Sequence, residues 1–206
     1  VIAPELPIYN SSLVNTNVKF FAKFVYKFIK FKNLKDVIIL GNSLGGHVGL
    51  IFSKLYPKLI KGLVLTGSSG LYENSMGDSY PKREDYNYIK ERTEAVFFDP
   101  KIATKKIVDE VYETVNDRKK LIKILAMAKS AIRHNMSNDL PNILAETAII
   151  WGENDSVTPP EVADEFKKLL PNSQLFWIEN CGHAPMMEHP EKFNSVMNSW
   201  LKEKKL

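Results

Sequence analysis

The sequence holds a single cysteine, Cys181, so no disulfide can form within the chain, and this usage suits a reducing compartment. It contains no run of 18 or more apolar residues, which excludes a hydrophobic spanning helix. It has no H-E-x-x-H, no pair of C-x-x-C motifs and no clustered histidines, which removes the common protein-built metal sites. It also lacks G-x-G-x-x-G and the phosphate loop, so no nucleotide cofactor is expected. Charge of one sign is not gathered into blocks. The 28 Lys and Arg residues stand against 24 Asp and Glu, a net +4, and are spread along the chain. Nucleic acid and membrane surfaces are therefore not expected as partners. A small-molecule substrate and a cytoplasmic location are.

What remains is ordinary globular material, 44% hydrophobic over 206 residues, enough for one core and a modest insertion. Residues 1–7 (VIAPELP) read as an apolar strand entering a loop. Residues 18–32 change to a helical period, with Phe20, Phe21, Phe24, Val25, Phe28 and Ile29 on one face and Lys19, Lys23, Lys27 and Lys30 on the other. The pattern fits a surface helix covering a sheet better than a membrane-docking one. Residues 36–40 (DVIIL) form a short continuous apolar run, expected as a strand buried on both faces of a parallel sheet. A helix over 46–55, ending before Pro57, and a second strand at 63–66 complete a βαβ unit.

Residues 72–138 differ in character. They carry helical patterns near 82–97, 101–115 and 117–134 and no buried-strand run, with Asp99-Pro100 read as a helix cap followed by proline at the first helical position. Strand patterns resume at 148–151 and 174–178, with helices at 160–170 and 191–204. The expected organisation is an α/β core over 1–71 and 139–206, divided by a helical cap over 72–138. The sheet should be mostly parallel and flanked by helices.

Gly41-Asn42-Ser43-Leu44-Gly45 fits G-x-S-x-G and stands directly between a strand and a helix. That context is what gives a weak motif its meaning. A serine on a sharp strand-to-helix turn exposes its hydroxyl at the carboxyl edge of the sheet, above a helix N-terminus that favours negative charge. Serine needs a base, and the base needs an orienting partner. Asp155, past the AIIW strand, and His183, past LFWIE, both fall at strand carboxyl ends, where open α/β sheets build their sites. Ser43 is thus read as nucleophile, His183 as general base and Asp155 as its orienter.

The competing residues read otherwise. His47 is placed on the helix, pointing away from the serine or packing under it, and His134 and His189 are read as structural or solvent-facing. Glu153 is the alternative acid, earlier in its loop. Glu188 is either a partner of the site or a helix N-terminal charge, and the latter is favoured. Cys181 is read as an idle thiol. Met127, Met136, Met186 and Met187 are packing residues, the last two close enough to His183 to border a pocket.

These motifs resemble the α/β-hydrolase superfamily, in particular its cap-bearing esterases and meta-cleavage-product (carbon–carbon) hydrolases. GNSLGGH is similar to the nucleophile elbow, WGENDSVTPP to the acid loop, and CGHAPMMEHPEKF to the histidine loop and last helix. The resemblance implies an α/β-hydrolase fold, with VIAPELP as its fourth strand and the insertion in the cap position. It implies an oxyanion site built from the Leu44 backbone N–H and a second N–H from a loop ahead of VIAPELP. That loop and three leading strands are not in this sequence, so the fold is expected to be N-terminally incomplete and this chain alone impaired. A serine nucleophile argues against the dehalogenase and epoxide hydrolase branches. Ala184 stands where carbon–carbon hydrolases often carry Trp. Arg133 is read as a solvated helix residue rather than a binder of an acidic group. The expected activity is ester hydrolysis through an acyl-enzyme; carbon–carbon hydrolysis and ligand binding without turnover are the alternatives.

Overall fold

The computed structural model describes residues 1–73 and 82–206. Four parallel strands form one sheet in the order β1 (Val37–Asn42), β2 (Ile60–Thr66), β3 (Glu146–Gly152), β4 (Ser173–Ile178). Because all four run the same way, their carboxyl ends share one edge. The register is continuous there: Asn42 pairs with Thr66, and Gly152 with Ile178.

Side chains alternate strictly between two cores, as the pleat dictates. In β2, Leu63 and Leu65 join the larger core while Val64 joins the smaller; in β3, Ile149 and Trp151 oppose Ala148 and Ile150. The larger core lies under α1 (Val18–Phe31), α2 (Leu44–Leu55) and α6 (Pro160–Leu169), contributing Phe21, Ile51, Phe52 and Phe166. The smaller is closed, after the short α7 (Pro185–Glu188), by α8 (Pro190–Lys204) through Phe193 and Trp200. The α1 pattern is realised: Phe21, Ala22 and Ile29 are buried, and all four lysines of the opposite face are exposed.

Between β2 and β3 run α3 (Tyr86–Glu94), α4 (Lys105–Asn116) and α5 (Arg118–Arg133). Residues 74–81, within the stretch expected as a cap, lie outside the described residues. α3 packs on α4 and α4 on α5, while the α5 end returns to the core through Met127, Ala131 and Met136.

Three expectations need correction. Residues 1–7 form no strand. Pro4 and Pro7 bring no N–H to a ladder, and the Ile8 N–H turns back to the Leu6 carbonyl. β1 is not buried on both faces: Ile38 and Leu40 are 38% and 45% exposed, because β1 lies at the edge of the sheet away from α8, which packs on β3 and β4. Asp99-Pro100 opens only a 3-10 turn (Pro100–Ile102), and α4 starts later, capped by the Thr104 hydroxyl. A proline at the first position fits either helix type; the next residues decide. Among the described residues, no helix is long and apolar enough to cross a membrane.

Candidate active site

Ser43 directly follows β1 and has φ 51° and ψ −119°, a conformation that side chains strongly disfavour. Neighbouring contacts hold it there. The Ser43 N–H donates to the Thr66 carbonyl (2.9 Å), extending the β1–β2 ladder by one residue. The Ser43 carbonyl accepts from the N–H groups of His47 (3.2 Å) and Ser69 (3.2 Å). The turn is so tight that a Cβ on Gly41 would sit 2.3 Å from the Gly45 backbone, so glycine is required. Leu44 is the first residue of α2, and its amide is among those a helix leaves without an internal acceptor.

Asp155 and His183 are brought into direct contact. Asp155 is 3% exposed and His183 7%, and Nδ1 of the imidazole lies 2.9 Å from Asp155 Oδ2 and 3.1 Å from Oδ1. An ionised carboxylate only accepts, so Nδ1 carries the hydrogen and Nε2 keeps a lone pair. Asp155 is itself anchored. Its Oδ1 accepts from the N–H groups of Val157 (2.8 Å) and Thr158 (2.9 Å), and its Oδ2 from the Thr158 hydroxyl (2.8 Å). Sequence reasoning missed Thr158. The signal was local: Asp-x-x-Thr is the spacing of a side chain that closes a turn on the backbone ahead of it. Glu153, the alternative acid, is exposed.

Ser43 is tied to the histidine loop through its neighbour. The Asn42 side-chain amide donates to the His183 carbonyl (2.9 Å) and to Thr66. Gly67, at φ +45°, lets β2 end flush against the imidazole; a Cβ there would lie 2.7 Å from His183 Nδ1.

The remaining histidines separate from this cluster. His47 is fully buried, with Nε2 3.2 Å from Nδ1 of His134. Burial and then His134 lower the His47 pKa from 6.5 to about 4. His134 is therefore a partner of His47 rather than solvent-facing. His189 donates to the Asn180 carbonyl at 2.9 Å. Burial, reinforced by Glu188, pushes the Cys181 thiol upward, away from thiolate chemistry.

Glu188 lies in the first turn of its short helix, as expected, and it is also a bridge between two loops. Its carboxylate accepts from the N–H groups of Gly182 (2.7 Å) and Phe98 (2.7 Å), the second on a loop far away in sequence. Met186 packs on the α8 core and Met187 is 46% exposed. Arg133 is exposed, as expected for a helix-end cation. Glu73, half-buried in the loop after β2, has its carboxyl pushed up by burial, with the His183 imidazole pulling the other way.

Comparisons with known proteins point the same way. A solved alpha/beta hydrolase enzyme from the metagenome of lagoon sediments at Mar Chica, Morocco, is 50% identical, with a TM-score of 0.79 over 98% of this chain and 78% of that one. The 2-hydroxy-6-oxo-6-(2'-aminophenyl)hexa-2,4-dienoic acid hydrolase of Metapseudomonas resinovorans is 30% identical over 188 residues, 86% of this chain and 64% of its own length. Lipase 1 of Psychrobacter immobilis is 25% identical over 178 residues, 74% of this chain. The chain spans 51% and 64% of the length of these two curated relatives. A family model described as alpha/beta hydrolase fold matches residues 1–190, from the opening segment to the start of the last helix. With the strained serine after β1 and the parallel sheet beneath it, that match makes the conclusion plain: the chain belongs to the alpha/beta hydrolase family.

Proposed function

We propose that the protein carrying this sequence is a serine hydrolase that cleaves a small or medium carboxylic ester through an acyl-enzyme. The observation that carries the reading is the buried Asp155–His183 hydrogen bond of 2.9 Å at the same sheet edge as the strained Ser43. His183 Nε2 takes the hydroxyl proton as Ser43 attacks the carbonyl carbon. The C–O bond to the leaving alcohol then breaks as His183 returns that proton to the alkoxide. Water, deprotonated by the same nitrogen, adds to the acyl-serine and releases the acid. The Leu44 N–H and the α2 N-terminus face the developing oxyanion, a contribution on the order of 10²–10³ in turnover for one donor.

Carbon–carbon hydrolysis of a diketo acid is the second reading, raised by the name of the dienoic acid hydrolase among the relatives. Two features favour the ester. Ala184 follows His183 at the position where the resemblance leads one to expect Trp in carbon–carbon hydrolases, and Arg133, the cation considered for such an acid, is exposed. The test is labelling by a fluorophosphonate, paired with turnover of p-nitrophenyl butyrate and of the coloured dienol acid. Ser43→Ala should abolish labelling. Labelling that persists in this variant sinks the assignment, faster turnover of the dienol selects the second reading, and tight ligand binding without a product burst would indicate a binding protein.

A further inference from the structure

The loop that follows α3, residues 95–99, touches both loops that carry the candidate site. The His183 N–H donates to the Val96 carbonyl at 3.0 Å. The Ser156 hydroxyl, beside Asp155, donates to the Ala95 carbonyl at 3.0 Å. Gly182 is packed so closely on the same segment that a Cβ would lie 2.7 Å from the Val96 carbonyl oxygen. Across this junction lies the Glu188 carboxylate. One oxygen accepts from the Gly182 N–H at 2.7 Å; the other accepts from the N–H groups of Phe98 (2.7 Å) and Asp99 (3.4 Å).

We propose that Glu188 is a positioning residue, whose two oxygens fasten the segment after α3 to the loop of His183 so that the imidazole and the helical region move as one body. The inference rests on the reading of His183 as general base. Its physical basis is donor–acceptor matching. Backbone N–H groups approach from two sides, and only an acceptor at both ends of a planar group satisfies them. Glutamine has the same shape but turns one end into a donor, so one of the two loops must let go. The Asp155–His183 bond survives as a pivot, and the ring is free to tilt about it relative to Ser43. A displacement of about 1 Å at a reacting group can cost about a hundredfold in rate.

The test compares wild type, Glu188→Gln and Glu188→Asp by fluorophosphonate labelling kinetics, ester kcat and KM, and amide hydrogen exchange. In the wild type, the amides of Phe98, Gly182 and His183 should exchange through one shared opening, a measurement that needs no variant. In Glu188→Gln, labelling and kcat should fall roughly tenfold or more while KM changes by no more than about twofold, the signature of lost alignment rather than lost binding. Residues 95–99 and 180–184 should exchange faster together, with the sheet amides unchanged, and Glu188→Asp should recover part of the rate. Wild-type labelling kinetics in the glutamine variant, or separate openings of the two segments in the wild type, would overturn the proposal. If the glutamine variant does not fold, the wild-type exchange pattern and the aspartate variant decide. A wild-type protein that fails to label at Ser43 removes the hydrolase reading, while the exchange data still test the fastening by itself.

Discussion

Replacing Asp155 with asparagine should leave the fold in place and remove the base. The two backbone donors, Val157 at 2.8 Å and Thr158 at 2.9 Å, both address Oδ1, and the asparagine oxygen can keep that position. The amide nitrogen then stands where Oδ2 was, 2.8 Å from the Thr158 hydroxyl and 2.9 Å from His183 Nδ1. Threonine can rotate to accept. The imidazole can answer an N–H donor only by presenting a lone pair at Nδ1, which moves its hydrogen to Nε2, the nitrogen that should take the serine proton. Loss of the correct tautomer costs about 10⁴ in kcat where such a triad operates. The stability cost is that of one weakened charge-assisted hydrogen bond, about 1.5–3 kcal/mol. The assay is p-nitrophenyl butyrate turnover beside a thermal melt. A folded Asp155→Asn protein keeping more than about a tenth of wild-type kcat would refute the tautomer argument. Asp155→Ala provides the contrast, because it orphans the buried donors and should melt well below the asparagine variant.

Thr158→Val keeps the shape but removes the hydroxyl donor to Asp155; turnover should fall by about tenfold, Thr158→Ser should restore it, and equal rates for all three proteins would contradict the role. Gly67→Ala forces a side chain into a left-handed backbone against the imidazole, so both stability, by about 1–3 kcal/mol, and labelling at Ser43 should drop; unaltered labelling would mean the ring does not need that space. His47 is held neutral in the fold at a pKa of about 4 against 6.5 when unfolded. The unfolded chain therefore binds the extra proton first, so this contribution is complete above pH 6.5 and is lost as pH falls toward 4, about 3 kcal/mol in all. Urea unfolding between pH 7 and 4 should show the decline, and His47→Gln should flatten it; a wild-type protein that gains stability on acidification would reverse the sign.

The parts of the site that were legible in the sequence are those encoded in short windows. Gly41 to Gly46 states its own geometry, because the strand, the cramped turn and the helix are contiguous. Asp155 and His183 follow strands whose apolar runs announce them. What stayed hidden depends on contacts between distant segments. Nothing within a few residues of Glu188 indicates that the Phe98 N–H will reach it, and a glutamate in the first turn of a helix has an adequate local explanation already. His47 and His134 meet only because the end of α5 folds back over α2. The exposure of one face of β1 is likewise a matter of strand order, since its residues read like those of β2 and β3. Thr158 is the exception: its bond to Asp155 is three residues long and was open to being read.

The contact of residues 95–99 with Gly182 and His183 bears on how hydrolases of this kind can be re-engineered. Grafting a foreign helical region between β2 and β3 treats that region as a detachable module. Here a graft that keeps the histidine loop in place would have to begin beyond residue 99, because one that includes 95–99 also exchanges the segment against which the backbone of Gly182 and His183 rests.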